Sequence, residues 1–320
     1  MSTVQELYNK VSENVSKVIV GKKDVTDLLL IALISGGHVL LEDIPGTGKT
    51  KLVKTLAASV NCTSKRIQFT PDLLPSDITG VRYFNMKSSE FEFLPGPVFS
   101  NILLADEINR ATPKTQAGLL ECMEEKQATI DGTTYALRPP FMVIATQNPV
   151  ENMGVFPLPE AQLDRFLFKT SMGYPTPEET VEILMRFGSD DPLETLKPVT
   201  NAQEILKARD ELDKVFVHPD VCAYITRLTE ATKKAEGVVL GISPRGALSL
   251  QKAAKGFAAI SGRDYVIPDD VKKAAFPVLC HRLILSNSAR VRKGSDVKII
   301  EEILKTVSVP TESQIFSSKK

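Results

Sequence analysis

The stretch LLEDIPGTGKTKL, residues Leu40 to Leu52, decides how this chain begins to fold. Together with His38 and Val39 it reads as a short apolar strand, HVLL, then a turn loosened by Gly46 and Gly48, then a helix starting at Lys49. A strand that turns sharply into a helix gathers backbone N–H groups and the positive end of the helix dipole at one point, which suits phosphate. In the pattern G-x-x-x-x-G-K-[ST], the lysine takes the β- and γ-phosphates and the hydroxyl residue takes Mg²⁺. Pro45, Gly46, Thr47, Gly48, Lys49 and Thr50 are therefore the expected contacts to a nucleotide, with Thr50 also a metal ligand. Asp43 stands where that pattern wants glycine. A carboxylate there repels polyphosphate unless, at the entry of the turn, its side chain points away.

Further along, NILLADEINR (residues 101–110) and FMVIATQNP (residues 141–149) repeat the theme of an apolar run ending in polar groups. Ligands of open α/β sheets bind outside the carboxyl ends of the strands. Asp106 is placed to hold Mg²⁺ through its waters, and Glu107 to polarise an attacking water as general base. Asn148 offers a donor and an acceptor for orienting that water or sensing a γ-phosphate. A solvated acidic strand end and an ordinary Asn-Pro turn are the plainer readings of the same residues.

With RIQF and FLFKT, these runs alternate with helical patterns and predict an α/β fold, a parallel sheet covered on both faces. Near Asp190 the texture changes. SDDPLETLKPVTN reads as a linker, and beyond it helical patterns follow without obvious strands. Asn201 and Glu204 resemble a capping box, Ser243-Pro244 an N-cap with N1, and Leu250, Ala253, Ala254, Phe257 and Ala258 share one helix face. A chain of 320 residues exceeds the usual single core. Two domains are expected, 1–194 as nucleotide-binding core and 195–320 as a small helical lid.

Lysine plus arginine and aspartate plus glutamate both number 39, so no global field favours nucleic acid or membrane. The longest apolar run, Leu28 to Ile34, is far short of the ~20 residues of a spanning helix. No signal core opens the chain, and the four cysteines, Cys62, Cys122, Cys222 and Cys280, lack zinc spacing. A soluble cytoplasmic protein with reduced, buried thiols is expected.

PGTGKT, LLADE, ATQNP, LPEAQLDRF and SPRGALSL, in this order, resemble the AAA+ ATPases. VIVGKKDV, LLEDIPGTGKT, the GPVF before NILLADEINRA, and EAQLDRF narrow the resemblance to the MoxR-type branch over almost the whole chain. MoxR-type loops commonly carry the acidic variant seen at Asp43, which supports a working loop. The resemblance implies an αβα core with strand order 5-1-4-3-2, a helical lid, and a homo-oligomeric ring, usually of six subunits, with ATP between neighbours. It implies that Val20 and Gly21 flank adenine, that Arg165 of LDRF matches the arginine finger, and that Arg245 matches sensor 2, in cis or in trans. Arg110 competes for a trans role. On the residues alone, Arg165 could pair with Asp164 or Glu160. An arginine such as Arg245, at a helix N-terminus, opposes the dipole of its own helix.

Residues 73–97 fit an insert in the second helix, with a two-stranded piece near Val81–Phe84 and Glu90–Phe93. KQATIDGTTYAL fits a β-hairpin turning at Asp131-Gly132. In related rings both face the pore or the client, and MoxR-type proteins often partner proteins with a von Willebrand factor A domain. A ring ATPase remodelling a protein client is the favoured function, and a nucleotide-switched binding module with little hydrolysis is the alternative. Zero net charge, the absence of tryptophan and a hairpin poor in basic residues argue against a DNA motor.

Overall fold

A computed structural model describes residues 2–42, 46–148, 154–188, 191–291 and 294–310. Helices α1 (Thr3–Ser16) and α2 (Lys23–Ser35) precede β1 (Val39–Glu42), and α3 (Lys49–Ser59) leads to β2 (Ser64–Gln68). Then come α4 (Pro75–Thr79), the hairpin of β3 (Gly80–Asn85) and β4 (Glu90–Pro95), and β5 (Ile102–Asp106). α5 (Pro113–Glu125), a second hairpin of β6 (Gln127–Ile130) and β7 (Thr133–Ala136), β8 (Met142–Gln147), α6 (Glu160–Leu163) and β9 (Phe168–Thr170) complete this part.

Five of these strands form one sheet in the order β2-β5-β8-β1-β9, with every neighbouring pair parallel. Counting only these five in chain order, the sheet reads 5-1-4-3-2 from the β9 edge, as the AAA+ resemblance implied. Strand alternation splits the burial between two faces. Ile102 and Leu104 of β5, with Val39 and Leu41 of β1, face α1–α3, while Leu103, Ala105 and Leu40 join the opposite core under α5. Burial on both faces is why these strands read as unbroken apolar runs.

Both expected hairpins are present. Asp131 and Gly132 have φ of 47° and 77°, the two positive values of a type I′ turn. The hairpins touch through aromatic rings, since Phe93 of β4 stacks on Tyr135 of β7 with centroids 4.3 Å apart.

After β9 the chain forms α7 (Pro177–Arg186), α8 (Ala202–Asp213), α9 (Pro219–Lys234), α10 (Pro244–Ile260), α11 (Pro268–Leu279), α12 (Asn287–Arg290) and α13 (Ser295–Thr306). Among them sits a ribbon the periodicity missed, β10 (Val238–Leu240) paired with β11 (Ile284–Leu285). Strands of three and two residues are too short to show an alternation. The expected caps are present: Asn201 Oδ1 accepts from the N–H groups of Gln203 and Glu204, and Ser243 Oγ from that of Gly246. Glu204 does not close a box; its carboxylate accepts instead from Thr200 Oγ1.

We propose the domain boundary at 194/195 on the change of texture; the apolar core runs across it. Leu29 and Ile31 of α2, Leu250, Ala253 and Ala258 of α10 and Val271 of α11 belong to the same buried cluster. The segment read as a linker is strapped down, with Lys51 paired to Asp191 at 3.0 Å, Asn14 donating to the Lys197 carbonyl, and Val199 N–H donating to that of Ser59. Cys122 is buried and the other three thiols are half-buried; burial raises Cys62 to about 11 and Cys122 and Cys280 to about 12. No described helix is long and apolar enough to cross a membrane.

Gly256 marks a close approach of the second part to the first. A Cβ there would lie 2.3 Å from Ile31 Cγ2, and a β-branched side chain in a helix has little freedom to turn away. Gly256→Ala is expected to lower stability, because overpacking at about 1–3 kcal/mol outweighs a helix-propensity gain of about 1 kcal/mol. Denaturant midpoints of Gly256→Ala, Ile31→Ala and the double variant check this, with a combined loss smaller than the sum of the single losses.

Candidate nucleotide site

β1 ends at Glu42, whose carboxylate accepts from Gln147 Nε2 at 2.6 Å and pairs with Lys169 Nζ at 2.8 Å. Those contacts fix the point from which the loop leaves the sheet. Asp43 and Pro45 lie outside the described residues. From Gly46 the loop rises into α3, and Gly46 and Gly48 have φ of 86° and 87°, left-handed values that a side chain rarely adopts. Among the described residues, a Cβ at either glycine would meet no atom within 4 Å, so there is open space beside the loop. Lys49 and Thr50 form the first turn of α3. This is a cradle that fits phosphate.

β5 delivers its two carboxylates at the same end of the sheet. Asp106 accepts from Thr146 Oγ1 at 2.6 Å, and its other oxygen accepts from Arg66 Nη2 at 2.7 Å and Nε at 3.1 Å. Glu107 has φ 57° and ψ 49°, a left-handed conformation for a non-glycine residue. Such strain persists only where surroundings over-determine it. Here the Glu107 N–H donates to Thr146 Oγ1 at 2.9 Å, while its carboxylate accepts from Gln68 Nε2 at 2.7 Å and pairs with Arg110 Nε at 2.9 Å. Asn148 is buried at the end of β8. Asp106, at the same end of the sheet as the first-turn hydroxyl of Thr50, suits Mg²⁺, which takes one or two carboxylates and keeps several waters; there it would have to share or displace Arg66.

Val20 is buried and Gly21 has φ 63°. A Cβ at Gly21 would lie 1.9 Å from Glu179 Oε1, so this segment is packed against the start of α7. Lys22 reinforces the contact by donating to the Tyr174 carbonyl at 2.9 Å. At the far end of α7, Lys51 of α3 lies 3.7 Å from the centre of the Phe187 ring. α7 thus flanks the phosphate helix.

Arg165 and Arg245 lie at the opposite end of the sheet. Leu167 N–H donates to the carbonyl of His38, the residue before β1, so Arg165 sits by the amino ends of the strands. The four residues of β1 separate that end from the loop, a span of about 13 Å at ~3.3 Å per residue. Arg165 Nη2 and Arg245 Nη2 share the carboxylate of Glu124, at 3.0 Å and 3.1 Å. Asp164 stands between Arg245 Nε at 3.7 Å and Arg282 Nε at 2.6 Å. Three guanidinium groups thus share two carboxylates, beside a shallow cavity of about 200 Å³ that also takes in Lys126 and Lys252. Burial, then the nearby charge of Lys126, draws the Lys252 ammonium below its ordinary range. Arg110, by contrast, is at the carboxyl end, on its own Glu107.

A family model described as the ATPase family associated with various cellular activities (AAA) matches residues 38–168, and one described as the AAA lid domain matches residues 230–303. The chain is 45% identical over 305 residues to Chaperone MoxR1 of Mycobacterium tuberculosis, covering 92% of this chain and 80% of that protein. The chain belongs to the MoxR-type AAA+ ATPases. It is also 30% identical to Protein MoxR of Methylorubrum extorquens, across 92% of this chain and 93% of the relative. A crystal structure of a candidate ATPase from Cytophaga hutchinsonii is similar to it with a TM-score of 0.90 and 42% identity, covering 97% of both chains.

For this MoxR-type ATPase the sequence left several participants unassigned. Thr146 was visible as a polar end to a buried run, but only pairing shows that one hydroxyl serves both Asp106 and Glu107. Gln68 lies opposite Asp106 in the strand register, a relation that no motif encodes. Glu124 and Arg282 gave no sequence signal, because their partners are distant in the chain.

Thr146→Val keeps the shape of the side chain and removes both of its hydrogen bonds. An expected drop of about 10- to 100-fold in maximal ATP hydrolysis follows from the freed carboxylate geometry, with fluorescent-nucleotide affinity changed by less than about threefold. Leaving the Glu107 N–H without its partner is expected to cost about 1–3 kcal/mol of stability, read from denaturant melts.

Proposed function

We propose that the protein binds ATP with Mg²⁺ between neighbouring subunits of a ring, the six-membered form that the family resemblance implies, and hydrolyses it there to remodel a protein client. The observation that carries this reading is the separation of the phosphate loop and carboxylates from Arg165 and Arg245, at opposite ends of one parallel sheet. An arginine that cannot reach its own nucleotide can reach one held by the next copy in a head-to-tail ring.

In this reading the loop from Pro45 to Thr50 holds the phosphates, with Lys49 on the β- and γ-groups and Val20 and Gly21 beside adenine. Thr50 and Asp106 would hold Mg²⁺, which supplies charge neutralisation across the phosphates when bound. Glu107 accepts a proton from the attacking water, and Asn148 orients that water. Arg165 of the neighbour stabilises the charge spread over the transferred group, and Arg245 presents a second cation from the same side. The shared anchor on Glu124 supports trans action for both. Arg110 is instead positioned to tune Glu107 within its own subunit.

A client with a von Willebrand factor A domain is the class suggested by the family resemblance, and the mycobacterial relative, named a chaperone, agrees with a protein client. Four free thiols support a reducing, cytoplasmic setting.

A trans arginine is worth roughly 10³ to 10⁵ in rate, so specific activity is expected to rise with protein concentration as subunits assemble. Glu107→Gln is expected to bind ATP and assemble without turnover. Lys49→Ala and Arg165→Ala subunits, each inactive alone, are expected to regain hydrolysis when mixed. Steady-state assays with size analysis in ATP read all three, and silent mixtures in which mixed rings are demonstrated would refute action in trans.

A further inference from the structure

Arg282 belongs to none of the sequence motifs. It ends the short turn Cys280–Arg282 that follows α11, and its side chain is only 3% exposed. Its donors converge on one segment of the first part of the chain. Nε donates to Asp164 Oδ1 at 2.6 Å, and Nη2 to the carbonyls of Asp164 at 3.1 Å and Phe166 at 2.8 Å. These are the residues on either side of Arg165. Nη1 donates to the carbonyl of Val278 in the preceding helix, which ties the grip back to α11.

Burial draws the Arg282 guanidinium below its ordinary range, with the Asp164 charge opposing that shift. A buried ion pair of this kind adds little stability over packed apolar groups. What a guanidinium supplies is geometry, because its planar fork can hold several acceptors at fixed angles and an ammonium cannot. The acceptors here are the backbone on both sides of Arg165 and the carboxylate of Asp164, whose other oxygen faces Arg245. Arg245 in turn meets Arg165 on Glu124. The chain of contacts is closed: Arg282 holds Asp164, and half-buried Arg165 and exposed Arg245 are spaced by the carboxylates beside it.

We propose that Arg282 is a positioning residue for Arg165, fixing the LDRF segment to the second domain so that Arg165 and Arg245 meet a neighbour's nucleotide as one rigid unit. This rests on the trans reading above. It predicts an asymmetry that a general loss of stability does not produce.

The test uses mixed rings in which Lys49→Ala subunits give the arginines and Arg165→Ala subunits hold ATP. Adding Arg282→Gln to the Lys49→Ala subunit is expected to lower the rate constant of the mixture by at least about tenfold, with KM for ATP unchanged. Arg282→Lys on that subunit is expected to fail to restore it. The same Arg282→Gln change on the Arg165→Ala subunit is expected to leave the rate within about twofold, since the group it positions is already gone. Size analysis and thermal melts verify equal assembly. If Arg282→Gln prevents folding, Asp164→Asn on the arginine-giving subunit carries the test with the same asymmetry expected. Equal losses from both placements, or full activity with the change on the arginine-giving subunit, overturn the proposal. A silent parent mixture is a different result, which removes the trans reading itself and this inference with it.

Discussion

Parallel pairing of β1 with β8 and β9 is the constraint on which the rest of the molecule depends. In a parallel sheet every strand leaves by the same end, so the loop after β1 and the polar termini of β5 and β8 must open onto one edge. The segments that enter the strands gather at the other edge. Arg165, which precedes β9, and Arg245, which begins α10, meet there on Glu124. The fold therefore sets the loop and carboxylates at one end of the sheet and these two arginines at the other.

At the nucleotide end, a few polar contacts hold strained or charged groups in place. Thr146 accepts from the Glu107 backbone and donates to Asp106, so one hydroxyl ties the Asp106 carboxylate and the Glu107 main chain to β8. The left-handed backbone at Glu107 is held by this contact together with Gln68 and Arg110. Glu42 performs a similar task for the loop, through Gln147 and Lys169 on the two neighbouring strands. Each contact joins adjacent strands at their ends, where the ladder of main-chain hydrogen bonds no longer sets the spacing.

How much of this could be read from sequence follows from the range of the interactions. The core strands were legible because burial on both faces writes them as apolar runs. Ser243, Asn201 and Asp131-Gly132 were legible because caps and tight turns are decided within three or four residues. The ribbon of β10 and β11 was not, since it joins residues more than forty positions apart by a handful of main-chain bonds. Arg282 was invisible for the same reason, its partner Asp164 being 118 positions away. The bland expectation for Arg165, an ion pair with a neighbour in its own segment, overlooked Glu124 at the end of α5. Half-buried Cys62, Cys222 and Cys280 show the limit of composition, which suggests reduced thiols but not how deeply each is covered.

The stack of Phe93 on Tyr135 has a mechanical consequence. α5 starts just beyond Glu107 and Arg110 and runs straight into the β6–β7 hairpin. Its 13 residues make a rod about 20 Å long at 1.5 Å per residue. One rod thus joins the carboxylate end of the sheet to the β6–β7 hairpin, and the aromatic stack ties that hairpin sideways to the β3–β4 insert. Two hairpins separate in sequence share one mount.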